Sequence, residues 1–240
     1  MSISPPTLRQ RLVDLASARY RAAGRFAYHF ARGKLGFDPM FLGLLERGLV
    51  PDQARILDLG CGQGLLAAWL LAARQSYEAG QWPVGWPAPG QPTEIRGVDL
   101  LASDIQRART ALGEPARFEQ GDMRQVGFGQ ADVVVIMDVL HYVDIPAQDE
   151  VLRRVRAALP ANGLFITRVG DAGAGLAFRL SSWVDRTVAF FRGNGLPPTH
   201  GRPLREWKQA LESLGFRVET ADMNGGLPFA NVMLVARRVP

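Results

Sequence analysis

The run Arg55-Ile56-Leu57-Asp58-Leu59-Gly60-Cys61-Gly62-Gln63-Gly64-Leu65-Leu66 constrains this chain more than any other part of it. Ile56, Leu57 and Leu59 form a short apolar stretch with no polar face, the pattern of a parallel strand buried on both sides. Gly60, Gly62 and Gly64 let the backbone turn sharply and approach a ligand, and Leu65 to Leu71 then opens a helix. Strand, acidic strand end, glycine turn and helix, in that order, read as a nucleoside-cofactor site.

The chemistry around the turn narrows the ligand. A dinucleotide fingerprint spaces its glycines G-x-G-x-x-G and lays a pyrophosphate on the helix N-terminus. Here the third glycine comes one residue early and the sixth position is Leu65. Asp58 stands two residues before the first glycine, where a carboxylate repels a pyrophosphate but suits a cation carrying amino and hydroxyl donors. S-adenosylmethionine, with its sulfonium, ammonium and ribose, is such a ligand. The phrase Asp58-Leu59-Gly60-Cys61-Gly62-Gln63-Gly64 resembles the first motif, D/E-x-G-x-G-x-G, of class I S-adenosylmethionine-dependent methyltransferases. Three other readings stand beside it. They are a glycine turn with no ligand, an NAD-type oxidoreductase, which the glycine spacing disfavours, and a non-catalytic S-adenosylmethionine-binding regulator or scaffold.

With 240 residues, 47% of them hydrophobic and 21% charged, the chain suits one large domain. The expectation is a single methyltransferase domain over 1–240. Residues 1–50 would form an N-terminal helical lid, and 51–240 a cofactor-binding α/β core with a Pro/Trp-rich loop inserted at 78–94. The apolar runs fall short of the ~18 residues a membrane span needs, and Met1 to Asp14 lacks a continuous apolar core. The expected address is therefore the cytoplasm. The single cysteine, Cys61, excludes an internal disulfide and any multi-cysteine zinc site. No metal is expected. Between Met1 and Lys34 seven basic residues (Arg9, Arg11, Arg19, Arg21, Arg25, Arg32, Lys34) face Asp14 alone, so this segment carries about +6 against +5 for the whole chain, and the rest is near neutral. Such a face suits an acidic partner, or is a solvated helix surface.

Along the chain, Thr7 with Gln10 marks a capping box for a first helix, interrupted near Gly24, and Asp38-Pro39 opens a short second one that Gly48 closes. After the inserted loop, Ile95 to Asp99 is a strand, Ser103 caps a helix to Leu112, and Ala116 to Gln120 and Ala131 to Met137 are strands. A helix over Ala147 to Leu159 and a strand over Leu164 to Arg168 come after these. Next are a helix over Leu176 to Phe191, a Gly/Pro loop over Gly193 to Pro203, and a helix over Leu204 to Leu214. Arg217 to Asp222 and Asn231 to Val239, separated by a turn at Asn224-Gly225-Gly226, read as an antiparallel pair. The fold class is α/β: a doubly wound, mostly parallel seven-stranded, Rossmann-like sheet with an antiparallel last strand.

In such a sheet ligands sit beyond the carboxyl ends of the strands, and Asp58, Asp99, Asp122 and Asp138 mark four successive strand ends. The resemblance implies that Gly60, Gly62 and Gly64 approach the methionine and ribose, and that Asp99 accepts the ribose hydroxyls. It also implies that Leu100 packs on adenine, that Asp122 and Met123 bond the adenine edge, and that Asp138 lies near the amino group. Asp138-Val139-Leu140-His141-Tyr142 resembles the family's V-L-H-H-type stretch, which places His141 and Tyr142 on the acceptor side. His200 sits in the Pro197-Pro198-Thr199-His200-Gly201 loop, placed to close over a substrate. The candidate catalytic residues are thus His141, Tyr142 and His200, with Tyr20, Tyr28 and Tyr142 as possible orienting hydroxyls.

Absent phrases narrow the acceptor. No N-P-P-Y or D-P-P-Y follows the fourth strand, which disfavours adenine and glutamine methylation, and Cys61 is misplaced for attack on cytosine. A small or acyl-carrier-protein-bound organic acceptor is favoured, with O-methylation of a phenolic or acidic group. Nucleic acid is not expected as a partner, and the oligomeric state is left open. Tyr20 to Asp38, Arg168 to Asp171 and Pro228 to Asn231 are similar to bacterial methyltransferases accompanying the fatty-acid-like biosynthesis of aryl polyene pigments. That similarity would turn the basic N-terminal helix toward an acidic carrier protein.

Overall fold

The computed structural model describes residues 7–114, 116–174, 198–223 and 231–240. The helix expected over 176–191, the 193–197 part of the Gly/Pro loop and the turn at 224–226 lie outside them. The chain divides into two compact units, Met1–Asp122 and Met123–Pro240.

The first unit opens with α1 (Leu8–Ala18), where the capping box is formed: Gln10 N donates to Thr7 Oγ1 at 3.3 Å and Thr7 N to Gln10 Oε1 at 2.9 Å. A 3-10 turn over Arg19–Arg21 and Gly24, at φ +102, break the helix before α2 (Arg25–Phe37). Asp38 then caps α3 (Pro39–Glu46) through Met40 N. β1 (Arg55–Leu59), β2 (Glu94–Asp99) and β3 (Arg117–Gln120) pair in parallel, with Leu59 beside Val98 and Asp99 beside Gln120. Between them run α4 (Leu65–Glu78) and α5 (Ala102–Leu112).

Helix α4 explains the N-terminal helices. It is apolar nearly all round and buries Leu65 to Leu70, Ala72 and Ala73, so a face left open by the sheet needs a second cover. Helix α1, with Leu12, Val13 and Ala16 buried, packs against it, and Trp69 Nε1 donates to Phe41 O in α3 at 2.8 Å. The inserted loop lies back along the chain that leads into β1. Gln91 N donates to Asp52 Oδ1 and Gln53 N to Gln91 O, while Tyr77, Trp82 and Trp86 meet edge to face.

One helix start differs from expectation. α5 begins at Ala102, and Ser103 is not its cap. Leu101 holds the cap position without a side-chain bond, and Asp99 Oδ1 instead accepts Leu101 N at 2.9 Å. The strand-end carboxylate thus holds the N–H of the cap residue itself, the group that the N3 side chain accepts in a capping box.

In the second unit β4 (Val133–Met137) pairs in parallel with β5 (Leu164–Gly170). α6 (Ile145–Ala158) starts two residues earlier than its sequence pattern suggests, because Asp144 accepts Ala147 N at 2.9 Å and Pro146 preorganises the first turn. α7 (Leu204–Ser213) buries Trp207 and Leu211. β6 (Phe216–Asp222) and β7 (Asn231–Arg238) form the expected antiparallel pair, and β7 is also antiparallel to β5. The sheet order is β3-β2-β1-β4-β5-β7-β6.

Candidate functional site

In the first unit the predicted cofactor residues gather around one turn. Gly60 N and Cys61 N both donate to Val98 O, at 2.8 and 3.1 Å, which folds the turn back over β2. Asp99 organises the rest of the turn. Its Oδ2 accepts Gly62 N at 2.8 Å, its Oδ1 accepts Leu101 N, and its own carbonyl accepts Gly121 N at 2.9 Å. A carboxylate has about four acceptor positions, so holding two N–H groups is compatible with a bond to a ligand hydroxyl. Leu100 beside it is 62% exposed, and Asp122 is half-buried.

Asp58 is buried at 3% exposure. Burial, and then the neighbouring Asp99 charge, push its carboxyl up to about 7. No basic side chain among the described residues pairs with it. Two neighbouring carboxylates beside a turn with positive-φ glycines (Gly60 +78°, Gly62 +55°, Gly64 +80°) fit a cationic ligand that approaches the backbone closely, because a positive charge relieves both the repulsion and the burial cost.

Gly64 combines two constraints. It lies at φ +80, and a Cβ there would sit 2.8 Å from Leu112 Cδ1 and 2.8 Å from the Phe118 ring. Gly64→Ala should therefore destabilise the protein by about 1–3 kcal/mol, from left-handed strain and overpacking. A denaturant melt showing an unchanged midpoint would contradict this.

Two further side chains complete the turn: Tyr20, expected only as an orienting hydroxyl, and Gln63, to which sequence reasoning gave no role. Tyr20 Oη donates to Gln63 O at 2.9 Å, and Gln63 Nε2 donates to Ala27 O at 2.9 Å. Both side chains are buried, and burial pushes the Tyr20 phenol far above its ordinary range. The glycine turn is thereby bonded to the N-terminal helices. The only signal in the sequence was an amide, Gln63, among glycines.

The second unit holds the candidate acceptor residues. Asp138 directly follows β4 at φ +58, a conformation that costs an L-residue roughly 1–2 kcal/mol. Arg168 on β5 holds it with a two-point bond, Nε to Oδ1 at 2.6 Å and Nη2 to Oδ2. Asp138 is thus a charge-balanced acceptor. His141 and Tyr142 lie in a 3-10 turn over Leu140–Tyr142, their rings 4.1 Å apart. Among the described residues His141 Nε2 is buried without a hydrogen-bond partner, and burial, outweighing the nearby Asp138, lowers the imidazole pKa. Burial thus favours the neutral ring. His200 N donates to His141 O at 2.7 Å, so the two histidines, 59 residues apart in sequence, share one backbone junction. Met123 O accepts from Arg154 Nη1 at 2.8 Å. Among the described residues no group of three His, Cys, Asp or Glu side chains is arranged to hold a metal ion, and no helix is long and apolar enough to cross a membrane.

A family model described as a methyltransferase domain matches residues 24–221. No curated protein matches the chain significantly. Solved structures of similar fold include human N-acetylserotonin methyltransferase in complex with SAM (18% identity, TM-score 0.60, covering 95% of this chain and 59% of that one). Another is an O-methyltransferase family protein from Burkholderia thailandensis (20%, TM-score 0.61, 91% and 62%). A third is magnesium protoporphyrin IX methyltransferase from Synechocystis PCC 6803 with bound SAH (17%, TM-score 0.57, 96% and 98%). The chain spans less than two thirds of the length of the first two. At such identities the likeness is one of fold, and the strand order is that of a Rossmann-like methyltransferase sheet.

Proposed function

Because the chain belongs to the methyltransferase-domain family, whose methyl donor is S-adenosylmethionine, we propose that it transfers that methyl group to an oxygen of a small or carrier-bound organic acceptor. The observation that carries the cofactor half of this reading is the Asp58–Asp99 carboxylate pair at the glycine turn, with no base among the described residues paired to Asp58. The donor's sulfonium and ammonium supply the missing positive charge, and its ribose supplies hydroxyl donors for Asp99. Leu100, exposed beside the turn, offers an apolar surface to adenine. The resemblance assigns the adenine edge to Asp122 and Met123 and the amino group to Asp138, which acts as an acceptor whose charge Arg168 already balances.

Transfer is an in-line displacement: the acceptor oxygen forms a bond to the methyl carbon as the carbon–sulfur bond breaks, and the sulfonium becomes a neutral thioether. Alignment with water excluded supplies up to roughly 7–11 kcal/mol. A base is needed only for a protonated nucleophile, such as a phenol with pKa near ~10. A buried His141, its neutral form favoured by burial and its Nε2 without a partner among the described residues, suits that task, with Tyr142 and His200 as its neighbours. The finer acceptor class is a phenolic or acidic group, free or on an acyl carrier protein. Of the N-terminal basic residues, Arg9 bonds Gly36 O, Arg32 pairs with Asp14 and Lys34 with Asp38. Arg21 and Arg25 are exposed and are the ones proposed to meet an acidic carrier. The proposed setting is the cytoplasm, in keeping with a chain of one cysteine.

Calorimetry with S-adenosylmethionine and NAD, followed by turnover on phenols and aryl acids, free and carrier-tethered, tests the reading. Binding of the first cofactor alone, with methylated phenol as product, is expected. Absence of S-adenosylmethionine binding defeats the proposal, and binding without any turnover would favour a regulator.

A further inference from the structure

The buried face of α6 is apolar, Val151, Leu152, Val155 and Ala158, except for Gln148, which is fully buried. A carboxamide withdrawn from water is costly unless bonded. Gln148 Nε2 lies 3.1 Å from Leu140 O, 2.9 Å from Val143 O and 2.8 Å from His200 O. The amide has two hydrogens for these three carbonyls, so at least one bond is shared. The first two carbonyls bracket the turn that carries His141 and Tyr142, and the third belongs to the segment 198–203. That segment is fixed again further on, where Arg202 Nη2 donates to Ile145 O at 2.8 Å and to Asp149 Oδ1 at 2.7 Å. The first turns of α6 thus grip the segment at two points, and His200 N closes a third contact on His141 O.

We propose that Gln148 is a positioning residue that holds the His200 segment on the His141 turn, so that both histidines present one fixed surface to the acceptor. The proposal rests on the methyl-transfer reading for its purpose and on the bond geometry for its existence. No sequence pattern marks Gln148, since a glutamine in the first turns of a helix is ordinarily solvated.

Gln148→Met keeps the length of the side chain and removes every donor. Amide hydrogen exchange should quicken at His200 by about tenfold or more, the factor expected for losing one to two hydrogen bonds. Val151, Leu152 and Val155 within α6 should exchange as before. NMR titration of the His141 ring should shift its pKa upward toward the ordinary histidine value as the turn loosens, a response that general destabilisation with an intact turn would not give. With a turned-over phenol as acceptor, kcat/KM should fall while S-adenosylmethionine affinity is retained. Unchanged exchange at His200, or an equal loss of cofactor affinity, overturns the proposal. If Gln148→Met does not fold, the unmodified protein decides: the Gln148 side-chain NH2 should be protected from exchange relative to the exposed Gln10 and Gln130, and equal rates overturn it. Failure of wild type to bind S-adenosylmethionine would refute the methyl-transfer reading while leaving the exchange result at His200 to be read on its own.

Discussion

Replacing Asp99 by alanine should weaken S-adenosylmethionine binding on the order of 100-fold, about 3 kcal/mol. The size reflects the several bonds this carboxylate makes at once. It accepts Gly62 N and Leu101 N, and by proposal it also accepts a ribose hydroxyl. Truncation removes the ligand bond and leaves two turn N–H groups without their acceptor, each costing about 1–3 kcal/mol where it stays buried. Only part of that cost falls on the ligand, because the apo turn relaxes as well. Asp99→Asn, which keeps one carbonyl acceptor and loses the charge, should lie between wild type and alanine. Calorimetry of the three proteins gives the order directly. Equal affinities across the series would mean that the ribose lies elsewhere and that Asp99 is only the clasp of the glycine turn.

The same carboxylate shows where sequence reading succeeds and where it stops. The strands ending near Asp58 and Asp99 and the glycine turn before α4 were legible because strand period, glycine position and an acid at a strand end are local signals, and local signals suffice for a turn. The antiparallel β6–β7 pair was legible for the same reason. Ser103 misled because cap preference is also local, whereas the actual acceptor for Leu101 N came from Asp99, whose position depends on its pairing with β3. Gln63, Gln148 and Arg168 were harder still. Each is a polar residue whose burial depends on partners 30 or more residues away in at least one of its contacts: Ala27 for Gln63, His200 for Gln148, Asp138 for Arg168. A single sequence carries the cost of burying such groups nowhere in its pattern. The role of the N-terminal helices likewise emerged only once α4 proved apolar on the face they cover and Tyr20 proved bonded to the glycine turn.

Cofactor affinity should rise with pH through neutrality, and apo stability should fall over the same range. Asp58 is the cause. Its carboxyl is raised from the ordinary 3.8 to about 7, by burial first and by Asp99 second, so between these values the folded chain holds a proton that the unfolded chain has released. Stability then decreases as pH rises from about 4 to about 7 and levels off above, the opposite of a salt-bridged aspartate. At ~1.36 kcal/mol per pKa unit the upper bound is about 4 kcal/mol. A cationic ligand favours the ionised form, so binding must expel the proton. If Asp58 dominates, affinity should increase roughly tenfold from pH 6 to pH 8, with protons released on binding at pH 6.5. The ligand's own amino group titrates near 7.7–8.0, and Asp58→Asn isolates that contribution, since it retains the ligand and removes the acid. Calorimetry in buffers of different ionisation enthalpy reads the released proton. A wild-type affinity as flat with pH as that of Asp58→Asn would show that Asp58 does not lose a proton on binding, and the charge argument for a sulfonium at this turn would lose its basis.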